Sequence, residues 1–342
     1  MKFLIAGLGS IGRRHLRNLL ALGEREVLLY RTNRSTLPDD ELAGFPVESD
    51  LQAALDWGPD AVLVCNPTAL HLQVAIPAAE RGCHLFIEKP ISHSWEGVER
   101  LRSAVRASGS RVLVGYHFRY HPGLLAVRHL LAEGRIGRVL SVRSHWGEYL
   151  PSWHPWEDYR KGYSAQADLG GGVVLTLSHP LDYLLWLFGD VEAAWAFAGS
   201  LSELELDVED TAEIGLRFAN GVVGSLHLDY NQRPTAHTLE MIGAHGTLRW
   251  DNASGNVSLY QAEPEQGTEA NQWQIYPLAA LPGASPDFQR NDLFLAEMRH
   301  FLCVVRGEAQ PVCSLEDGSR ALRLALAALQ SAREGRLVKL IS

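Results

Sequence analysis

Short apolar runs alternate with segments of helical pattern along the first third of the chain. Each run has the length of a buried strand: KFLIA (2–6), EVLLY (26–30), DAVLVC (60–65), HLFI (84–87) and RVLVGY (111–116). Runs of this kind are typical of a parallel sheet that is covered on both faces. The intervening segments predict helices at 13–22, from His71 to Gly82 and at about 94–107. The alternation predicts a doubly wound α/β domain.

The pattern changes in the second part of the chain, where strands follow one another. Residues 139–146 alternate between apolar and polar positions, and 211–230 predict a hairpin around Asn220-Gly221, a pair that favours a two-residue type I′ turn. LEMIGAHGTLRW (239–250) predicts another strand pair. The polar stretch 252–286, rich in Gly and Pro, predicts an irregular surface segment.

Two helices are predicted to close the chain, at 288–305 and at about 315–333. Ser314 and Asp317 give the last helix a start that is similar to a capping box, with Asp in place of the usual Glu, and Gly335 ends it.

The chain has 342 residues, which exceeds the size of one ordinary core, so we expect two domains. Residues 1–120 are predicted to form the doubly wound domain, and residues 121–342 a second domain. The net charge of -9 and the absence of a dense Lys/Arg block exclude a nucleic-acid partner. No apolar run approaches the roughly 20 residues of a membrane span, so we expect no membrane partner.

The cysteine pattern argues against a disulfide framework or a metal site. The four cysteines, Cys65, Cys83, Cys303 and Cys313, form no CxxC pair and no Cys/His cluster at zinc spacing. Free thiols are expected in a reducing compartment. The N-terminal apolar run is too short and too interrupted by glycine for a signal peptide, so we expect a cytoplasmic protein without a bound metal.

The first strand is followed directly by Gly7-Leu-Gly9-Ser-Ile-Gly12 and then by a helical segment. GxGxxG in this strand–helix context predicts a dinucleotide site. Gly7 permits the tight turn, Gly9 lets the pyrophosphate approach the backbone, and Gly12 lets helix and strand pack closely. We expect Ser10 and Ile11 to contact the cofactor too, since the N–H groups of a helix N-terminus bind phosphate.

The end of the second strand bears on the choice of cofactor. NAD sites usually carry an acidic residue there, whereas this chain has Arg31, Thr32 and Arg34, which suit a 2′-phosphate. The sequence therefore favours NADP. The alternative is a solvated loop in a protein that also accepts NAD.

Polar residues follow the carboxyl ends of three further predicted strands. Asn66-Pro67 follows the third strand, Glu88-Lys89 the fourth, and His117 the fifth. Ligands of doubly wound sheets bind at this edge, so these segments should converge on one crevice. We expect Asn66, Pro67, Glu88 and Lys89 to contact the cofactor. We expect the same of His71, which begins the helix that follows Asn66-Pro67.

The motifs GLGSIGRRH, NPTALH, FIEKPIS and GYHFRYHP, with GGGVVLTLSHPLDYLLWLFGD and PVCSLEDGSRALRLALAALQSAREG, cover essentially the whole chain. In this order the chain resembles the glucose–fructose oxidoreductase and inositol dehydrogenase family (Gfo/Idh/MocA). The resemblance implies a Rossmann domain followed by an α/β domain with a large, mostly antiparallel sheet. It also implies hydride transfer between NAD(P) and a carbon of a sugar or cyclitol, and a homodimer or homotetramer. The Lys of EKP is then expected beside the nicotinamide, before a frequently cis Lys-Pro bond.

Proton transfer requires an acid–base group, and two residues are candidates. His179 is one, because an imidazole ordinarily has a pKa near neutrality, and Lys89 is the other, because a lysine can polarise the substrate oxygen or act as a base once its pKa is lowered. The alternatives are an inert core histidine and an exposed lysine paired with Glu88. Asp182 lies one helical turn after His179 and can orient the imidazole or bind a substrate hydroxyl.

The glycine-rich segment departs from the pattern of the family it resembles. Members carry an Asp four residues before the His, and here Leu175 or Thr176 occupies that position. Thr176 can bond a substrate but cannot hold a charge. Pro180 requires either a helix that restarts near Ser178 or a kink.

The connection before the glycines is rich in aromatic residues. Trp153 and Tyr163 can cover the apolar face of a sugar ring, or they can anchor the loop on its own domain. We expect them, with His117 and Arg119 of GYHFRYHP, to contact the substrate.

The leading hypothesis is an NADP- or NAD-dependent oxidoreductase that acts on a sugar, sugar acid or related polyol. A second is a glycosidase that uses tightly held NAD for transient oxidation. A third is a cofactor-binding regulator without catalysis, which the missing Asp keeps open.

Overall fold

The computed structural model describes residues 1–32, 37–262, 272–285 and 287–340. The chain forms two compact units. The N-terminal unit contains Met1–His117, Ala167–Gly171 and Arg290–Leu322, and the C-terminal unit contains Phe118–Gln166, Gly172–Gln289 and Arg323–Ser342. The division predicted at residue 120 is a single cut, whereas each unit is assembled from separate segments.

Strands and helices alternate through the first 114 residues: β1 (Lys2–Ala6), α1 (Ser10–Ala21), β2 (Glu26–Tyr30), β3 (Val47–Glu48), α2 (Leu51–Asp56), β4 (Ala61–Val64), α3 (His71–Glu80), β5 (His84–Ile87), α4 (Val98–Ser108) and β6 (Val112–Val114). The six strands pair in parallel in the order β3-β2-β1-β4-β5-β6. This is the strand order of a dinucleotide-binding Rossmann fold, which confirms the predicted doubly wound sheet.

The remaining elements are α5 (Pro122–Ala132), β7 (Val139–Gly147), α6 (Val173–Thr176), α7 (His179–Phe188), β8 (Val191–Gly199), β9 (Thr211–Phe218), β10 (Val223–Asp229), β11 (Ala236–Gly243), β12 (Gly246–Asp251), β13 (Val257–Gln261), β14 (Trp273–Tyr276), α8 (Arg290–Arg306), α9 (Leu315–Glu334) and β15 (Val338–Lys339). Nine strands form a sheet in the order β14-β13-β12-β11-β7-β10-β9-β8-β15. All its neighbours are antiparallel except β7 and β10, so the predicted mostly antiparallel sheet is confirmed.

The core of the N-terminal unit includes residues from the end of the chain. Phe3 and Ile5 of β1 are fully buried, and Met298 and Phe301 of α8 belong to the same core. Because α8 covers this sheet, Arg290–Leu322 belongs to the N-terminal unit although it lies far away in sequence.

The nine-stranded sheet has two different faces. In β7, Val142, Ser144 and Trp146 are buried, whereas Arg143 is exposed and His145 half-buried. Antiparallel sheets commonly pack one face and leave the other polar. The face that carries Arg143 and His145 is called the open face below.

Two predictions for this sheet are wrong. The stretch 252–286 contains strands β13 and β14, whose alternating pattern is diluted by Gly, Pro and polar residues; residues 263–271 and 286 lie outside the described part. The turn at Asn220-Gly221 is not type I′, because only Gly221 of the two has a positive φ (88°). Phe218 pairs with Val222 around a three-residue loop, the hairpin type in which a type I turn precedes a left-handed residue.

Helix boundaries follow local chemistry. The Ser314 hydroxyl accepts the Asp317 N–H at 3.2 Å and the Asp317 carboxylate accepts the Ser314 N–H at 2.9 Å, so the predicted capping box is confirmed. Helix α9 ends just before Gly335. The helix predicted from residue 94 begins only at Val98, because Gly97 adopts a left-handed φ of 82°.

Candidate functional site

The glycine-rich loop joins β1 to the N-terminus of α1. Gly7 has a φ of 97° and donates its N–H to the Tyr30 carbonyl at 3.1 Å. A Cβ on Gly12 would lie 1.9 Å from the Gly7 carbonyl oxygen, so the helix can pack on the loop only without a side chain there. A Cβ on Gly9 would meet nothing within 4 Å. The first and third glycines are therefore explained by the fold, and the second leaves space for a ligand.

The N-terminus of α1 presents backbone donors beside this space. Gly9 is the N-cap residue and offers no side chain to satisfy the first amides of the helix. Ser10 is exposed and Ile11 half-buried. Free N–H groups at a helix N-terminus next to an open glycine suit a pyrophosphate.

Arg31 lies at the end of β2, and its guanidinium forms an ion pair with an acidic side chain. Its Nη1 is 2.8 Å from Oδ1 of Asp39, and its side chain is only 9% exposed. Thr32 is exposed. Arg34 lies outside the described residues.

A buried contact between a histidine and a glutamate, which the sequence analysis did not identify, joins α1 to the end of β5. His15 of α1 and Glu88 after β5 are joined by a 2.7 Å contact between Nε2 and Oε1. Burial acts to raise the pKa of Glu88, but the hydrogen bond and charge of His15 and the charge of Lys89 hold it below its ordinary value. Glu88 is thus an ionised anchor that interacts with both His15 and Lys89.

His71 joins two of the predicted strand-end segments. Its Nε2 lies 2.9 Å from the Asn66 carbonyl oxygen, and its Nδ1 lies 2.9 Å from that of Pro90. Burial lowers its pKa, against the raising effect of its hydrogen bonds to the backbone. The Lys89-Pro90 bond is cis, as the resemblance implied. His71 therefore acts through the backbone, holding together the loops that carry Asn66 and Lys89.

His117 completes the predicted edge of this unit. Its ring stacks on Phe294 with a centroid separation of 4.1 Å. Burial lowers its pKa well below the ordinary value, and the positive charges of Arg290 and Lys89 add to the effect. The structure thus brings Asn66, Lys89 and His117 to the same edge of the sheet, with His117 neutral.

The glycine triplet before α6 has a packing explanation. Gly172 has a φ of 99°, and a Cβ there would lie 2.4 Å from Oε1 of Glu209. Glu209 accepts the Val174 N–H at 3.1 Å, and burial raises its pKa. The carboxyl group of Glu209, which the sequence analysis missed, thus occupies the space that Gly172 leaves.

Helix α7 restarts after the single turn of α6, which confirms the first of the two predictions made for Pro180. Ser178 is the N-cap and Pro180 lies in the first turn, where a missing N–H costs no helix bond. His179 is therefore the first residue of α7. It is 6% exposed, and its ring lies 5.0 Å from that of Phe118 and 5.7 Å from Trp146.

Two predicted substrate ligands bind each other. Arg119 donates from Nε to Oδ2 of Asp182 at 2.9 Å and from Nη2 to Oδ1 at 2.7 Å. Both side chains are almost fully buried. The pair fixes the first turn of α7, which carries His179.

Thr176 is one of the two residues, with Leu175, that stand where the resemblance leads one to expect an Asp. It is buried, and its side chain is close enough to Tyr230 to lower the pKa of that phenol slightly, although burial raises it well above its ordinary value. A neutral Thr–Tyr contact therefore replaces an acidic group at this position.

The aromatic connection serves partly as an anchor. Trp153 contacts the buried Tyr230 edge to face, with centroids 5.6 Å apart. Tyr163 is 36% exposed. One part of the Trp153 ring therefore anchors the loop on its unit, and Tyr163 is accessible to a ligand.

Both parts of the chain match one family of known proteins. Residues 1–116 match its "NAD-binding Rossmann fold" and residues 128–340 its "C-terminal alpha/beta domain", each described as belonging to an oxidoreductase family. The myo-inositol 2-dehydrogenase of Thermotoga maritima is 27% identical over 360 residues, covering 99% of this chain and 98% of that protein.

Solved structures share the fold along the whole chain. A levoglucosan dehydrogenase in complex with NADH and levoglucosan has a TM-score of 0.86 at 21% identity and 100% coverage of both chains. The WlbA dehydrogenase from Bordetella pertussis, in complex with NADH and UDP-GlcNAcA, has a TM-score of 0.81 at 25% identity, covering 100% of this chain and 98% of that one. Within the described part of the chain, no helix combines the length and apolar character of a membrane span.

Proposed function

The chain belongs to the Gfo/Idh/MocA family of oxidoreductases, and we propose that it transfers a hydride between a nicotinamide cofactor and a CH–OH or C=O carbon of a sugar, sugar acid or cyclitol. The observation that carries the proposal is the glycine loop with an open Gly9, on the same sheet edge as Lys89. The names of the relatives support the substrate class, since they include an inositol dehydrogenase and a levoglucosan dehydrogenase.

The residues of the N-terminal unit fit the cofactor. Gly7, Gly9 and Gly12, with the amides of Ser10 and Ile11, would hold the pyrophosphate; Asn66, Pro67, His71, Glu88 and Lys89 would line the edge farther along. When bound, the nicotinamide accepts or supplies the hydride. Lys89 is half-buried at the carboxyl end of β5, next to Glu88, and in this proposal its ammonium polarises the substrate oxygen.

His179 is the proposed acid–base group. Oxidation of an alcohol needs a base for the hydroxyl proton as the hydride leaves carbon, and reduction needs the same group as an acid. The imidazole lies at the helix start that the Arg119–Asp182 pair orders, so these two residues position it. Thr176, Tyr163, Trp153 and neutral His117 are the proposed hydrogen-bonding and stacking contacts of the substrate.

For the cofactor we propose NADP(H), with Arg31 and Thr32 binding the 2′-phosphate. Arg31 must then exchange its contact with Asp39 for the phosphate. Substituting Arg31→Gln should weaken NADPH binding at least tenfold and leave NADH binding nearly unchanged. Equal effects on both cofactors would overturn this assignment and favour NAD.

We also propose a homodimer or homotetramer, joined through the open face. That face carries large exposed apolar side chains, including Phe197 (66% exposed) and Ile275 (62%). Light scattering after size exclusion measures the assembly, and Phe197→Glu should dissociate it. A monomeric wild type would contradict the proposal.

The decisive test measures turnover on a panel of polyols, sugar acids and glycosides with NADP and NAD. Net cofactor reduction, lost in Lys89→Met and in His179→Gln, supports the dehydrogenase. The exposed Lys339→Met and His129→Gln are the matched controls and should retain activity. Release of aglycone without net cofactor turnover would instead indicate a glycosidase. If the protein binds the cofactor but turns over no substrate, and Lys89→Met does not alter that binding, both enzyme functions are contradicted and a regulator is favoured.

A further inference from the structure

Three potential metal ligands meet on the open face of the C-terminal sheet. His145 of β7 is in register with His227 of β10, and His227 is in register with Glu213 of β9. Asp229 follows two residues after His227, and therefore on the same face of its strand. A depression of about 490 Å³ over this face is lined in part by His145, His227 and Glu213.

The spacing of the donor atoms is that of a slightly expanded metal shell. One ligand atom from each of His145, His227 and Asp229 lies within 4.8 Å of the others. Nε2 of His227 and Oδ2 of Asp229 are 2.9 Å apart, and the two imidazole rings stack with centroids 4.5 Å apart. Zinc binds nitrogen and oxygen at about 2.0–2.2 Å, which places tetrahedral ligand atoms roughly 3.3–3.6 Å from one another. Small side-chain movements would therefore close the shell.

Backbone hydrogen bonds fix the orientation of the Asp229 carboxylate. Its Oδ1 accepts the N–H groups of Asn231 at 2.6 Å and Gln232 at 2.5 Å, which leaves Oδ2 directed at His227. Gly147, its register partner on β7, makes room for it, because a Cβ there would lie 2.3 Å from Oδ2. A nearly buried carboxylate with one oxygen bonded to the backbone and the other turned to imidazole is a preorganised ligand.

A second carboxylate orients the second ligand. Oε1 of Glu213 lies 2.6 Å from Nδ1 of His227. When Nδ1 donates to this carboxylate, Nε2 presents its lone pair toward Asp229, which is the arrangement by which carboxylates support metal-bound histidines. In the absence of a metal, a ring protonated on both nitrogens donates to both carboxylates, and a bound cation would take the place of the proton on Nε2.

His145 gives an independent indication. Its Nε2 is buried and meets no hydrogen-bond criterion within the described residues, and the Gln232 side chain is the polar group that lies near the ring. A buried polar nitrogen without a bond carries a desolvation penalty of about 1–3 kcal/mol, which a bound cation would remove.

We propose that His145, His227 and Asp229 bind a divalent transition metal, with Zn²⁺ as the best match to a His₂Asp donor set and a fourth position open to water. Glu213 is the positioning residue of this site. The metal would join β7 and β10, the one parallel pair of the described sheet. The spacing of cysteines and histidines along the chain predicts no such site, because strand register alone brings these ligands together.

The test is competition of the full-length, EDTA-treated protein with a colorimetric zinc chelator at pH 7.5. We expect one Zn²⁺ per chain and a rise in Tm on binding. His145→Gln and Asp229→Asn should each weaken binding at least tenfold and abolish the rise in Tm. Asn keeps the acceptor for the two backbone N–H groups, so the second variant retains its turn. Glu213→Gln should weaken binding by about 10–100-fold.

The matched control is His129→Gln, which removes an exposed histidine 3.0 Å from Glu133 of the same unit. It should bind zinc as the wild type does. A wild type that takes up no zinc would overturn the proposal, as would binding that persists in His145→Gln and Asp229→Asn or is lost in His129→Gln. Circular dichroism of each metal-free variant distinguishes loss of the site from loss of the fold.

Discussion

Arg119 and Asp182 form a two-bonded ion pair, at 2.9 Å and 2.7 Å, with side chains that are 3% and 2% exposed. The pair ties the segment after β6 to the first turn of α7. A charge at this depth is tolerated only because the other is there. The relationship determines how α7, and with it His179, begins.

Removing one partner of this pair should destabilise the protein severely. Asp182→Asn leaves the guanidinium without its counter-charge, and we expect a loss of about 3–5 kcal/mol in the free energy of unfolding. The double variant Arg119→Met/Asp182→Leu should recover much of it, because it removes both charges. Urea titrations measure the free energy of unfolding of the single variant and of the double variant. Asp158→Asn at the exposed pair with Arg160 is the control and should leave the free energy of unfolding nearly unchanged. If Asp158→Asn lowered the free energy of unfolding as much as Asp182→Asn does, the argument from burial would be contradicted.

Substitution of the second and third glycines of the loop should separate an effect on cofactor binding from an effect on stability. Gly12→Ala places a Cβ against the Gly7 carbonyl and should lower the Tm. Gly9 has an extended backbone (φ -71°, ψ -169°) and open space around it, so Gly9→Ala should fold normally. It should nevertheless weaken cofactor binding at least tenfold, since the added methyl lies where the pyrophosphate would approach. Gly215→Ala, with its nearest atom at 3.8 Å, is the control. Unchanged affinity of Gly9→Ala would exclude this loop as the phosphate site.

His121 should make stability depend on pH. Burial lowers its pKa from 6.5 to about 4, against a small rise from the Asn252 side chain. As pH falls below 6.5 the unfolded state binds a proton that the folded state does not, so the free energy of unfolding decreases until about pH 4. One group contributes a slope of at most about 1.4 kcal/mol per pH unit.

The matched variant is His121→Asn. The His121 ring accepts the Gly123 N–H at 3.0 Å as the N-cap of α5, and Asn is a good N-cap that does not titrate. Denaturant unfolding at intervals between pH 7 and 4 should give a shallower slope for the variant, whatever its stability at pH 7. Parallel curves would contradict the assignment.

Glu88 should stabilise the folded state while it is ionised, and this stabilisation should disappear in acid. Its pKa is held below 4.5 in the folded state, so its stabilisation is present above about pH 4.5 and is lost as pH falls through the lowered value. Glu88→Gln should cost about 1–3 kcal/mol at pH 7, and its difference from the wild type should shrink toward pH 3.5. Chemical unfolding at both pH values tests this. The exposed Glu96→Gln should show no such convergence.

The local parts of the fold were readable from the chain because their causes are local. Unbroken apolar runs identified the parallel strands, Ser314 and Asp317 lie within one turn of each other, and Gly7, Gly9 and Gly12 meet the requirements of a single strand–helix junction. The sequence misled where a pattern was diluted, as at β13 and β14, or where two turn geometries share one dipeptide, as at Asn220-Gly221.

The sequence by itself thus determined the parallel sheet, the glycine loop and the candidates Lys89 and His179, whereas the structure decided that α7 restarts rather than kinks at Pro180. Tertiary structure decided which polar groups meet. His15 and Glu88 are 73 residues apart, and Arg119 and Asp182 are 63 apart. His145 and His227 face each other only through the register of β7 and β10. A pairing of this kind depends on which strands become neighbours, and strand order is set by packing of the whole unit, which short-range periodicity does not encode.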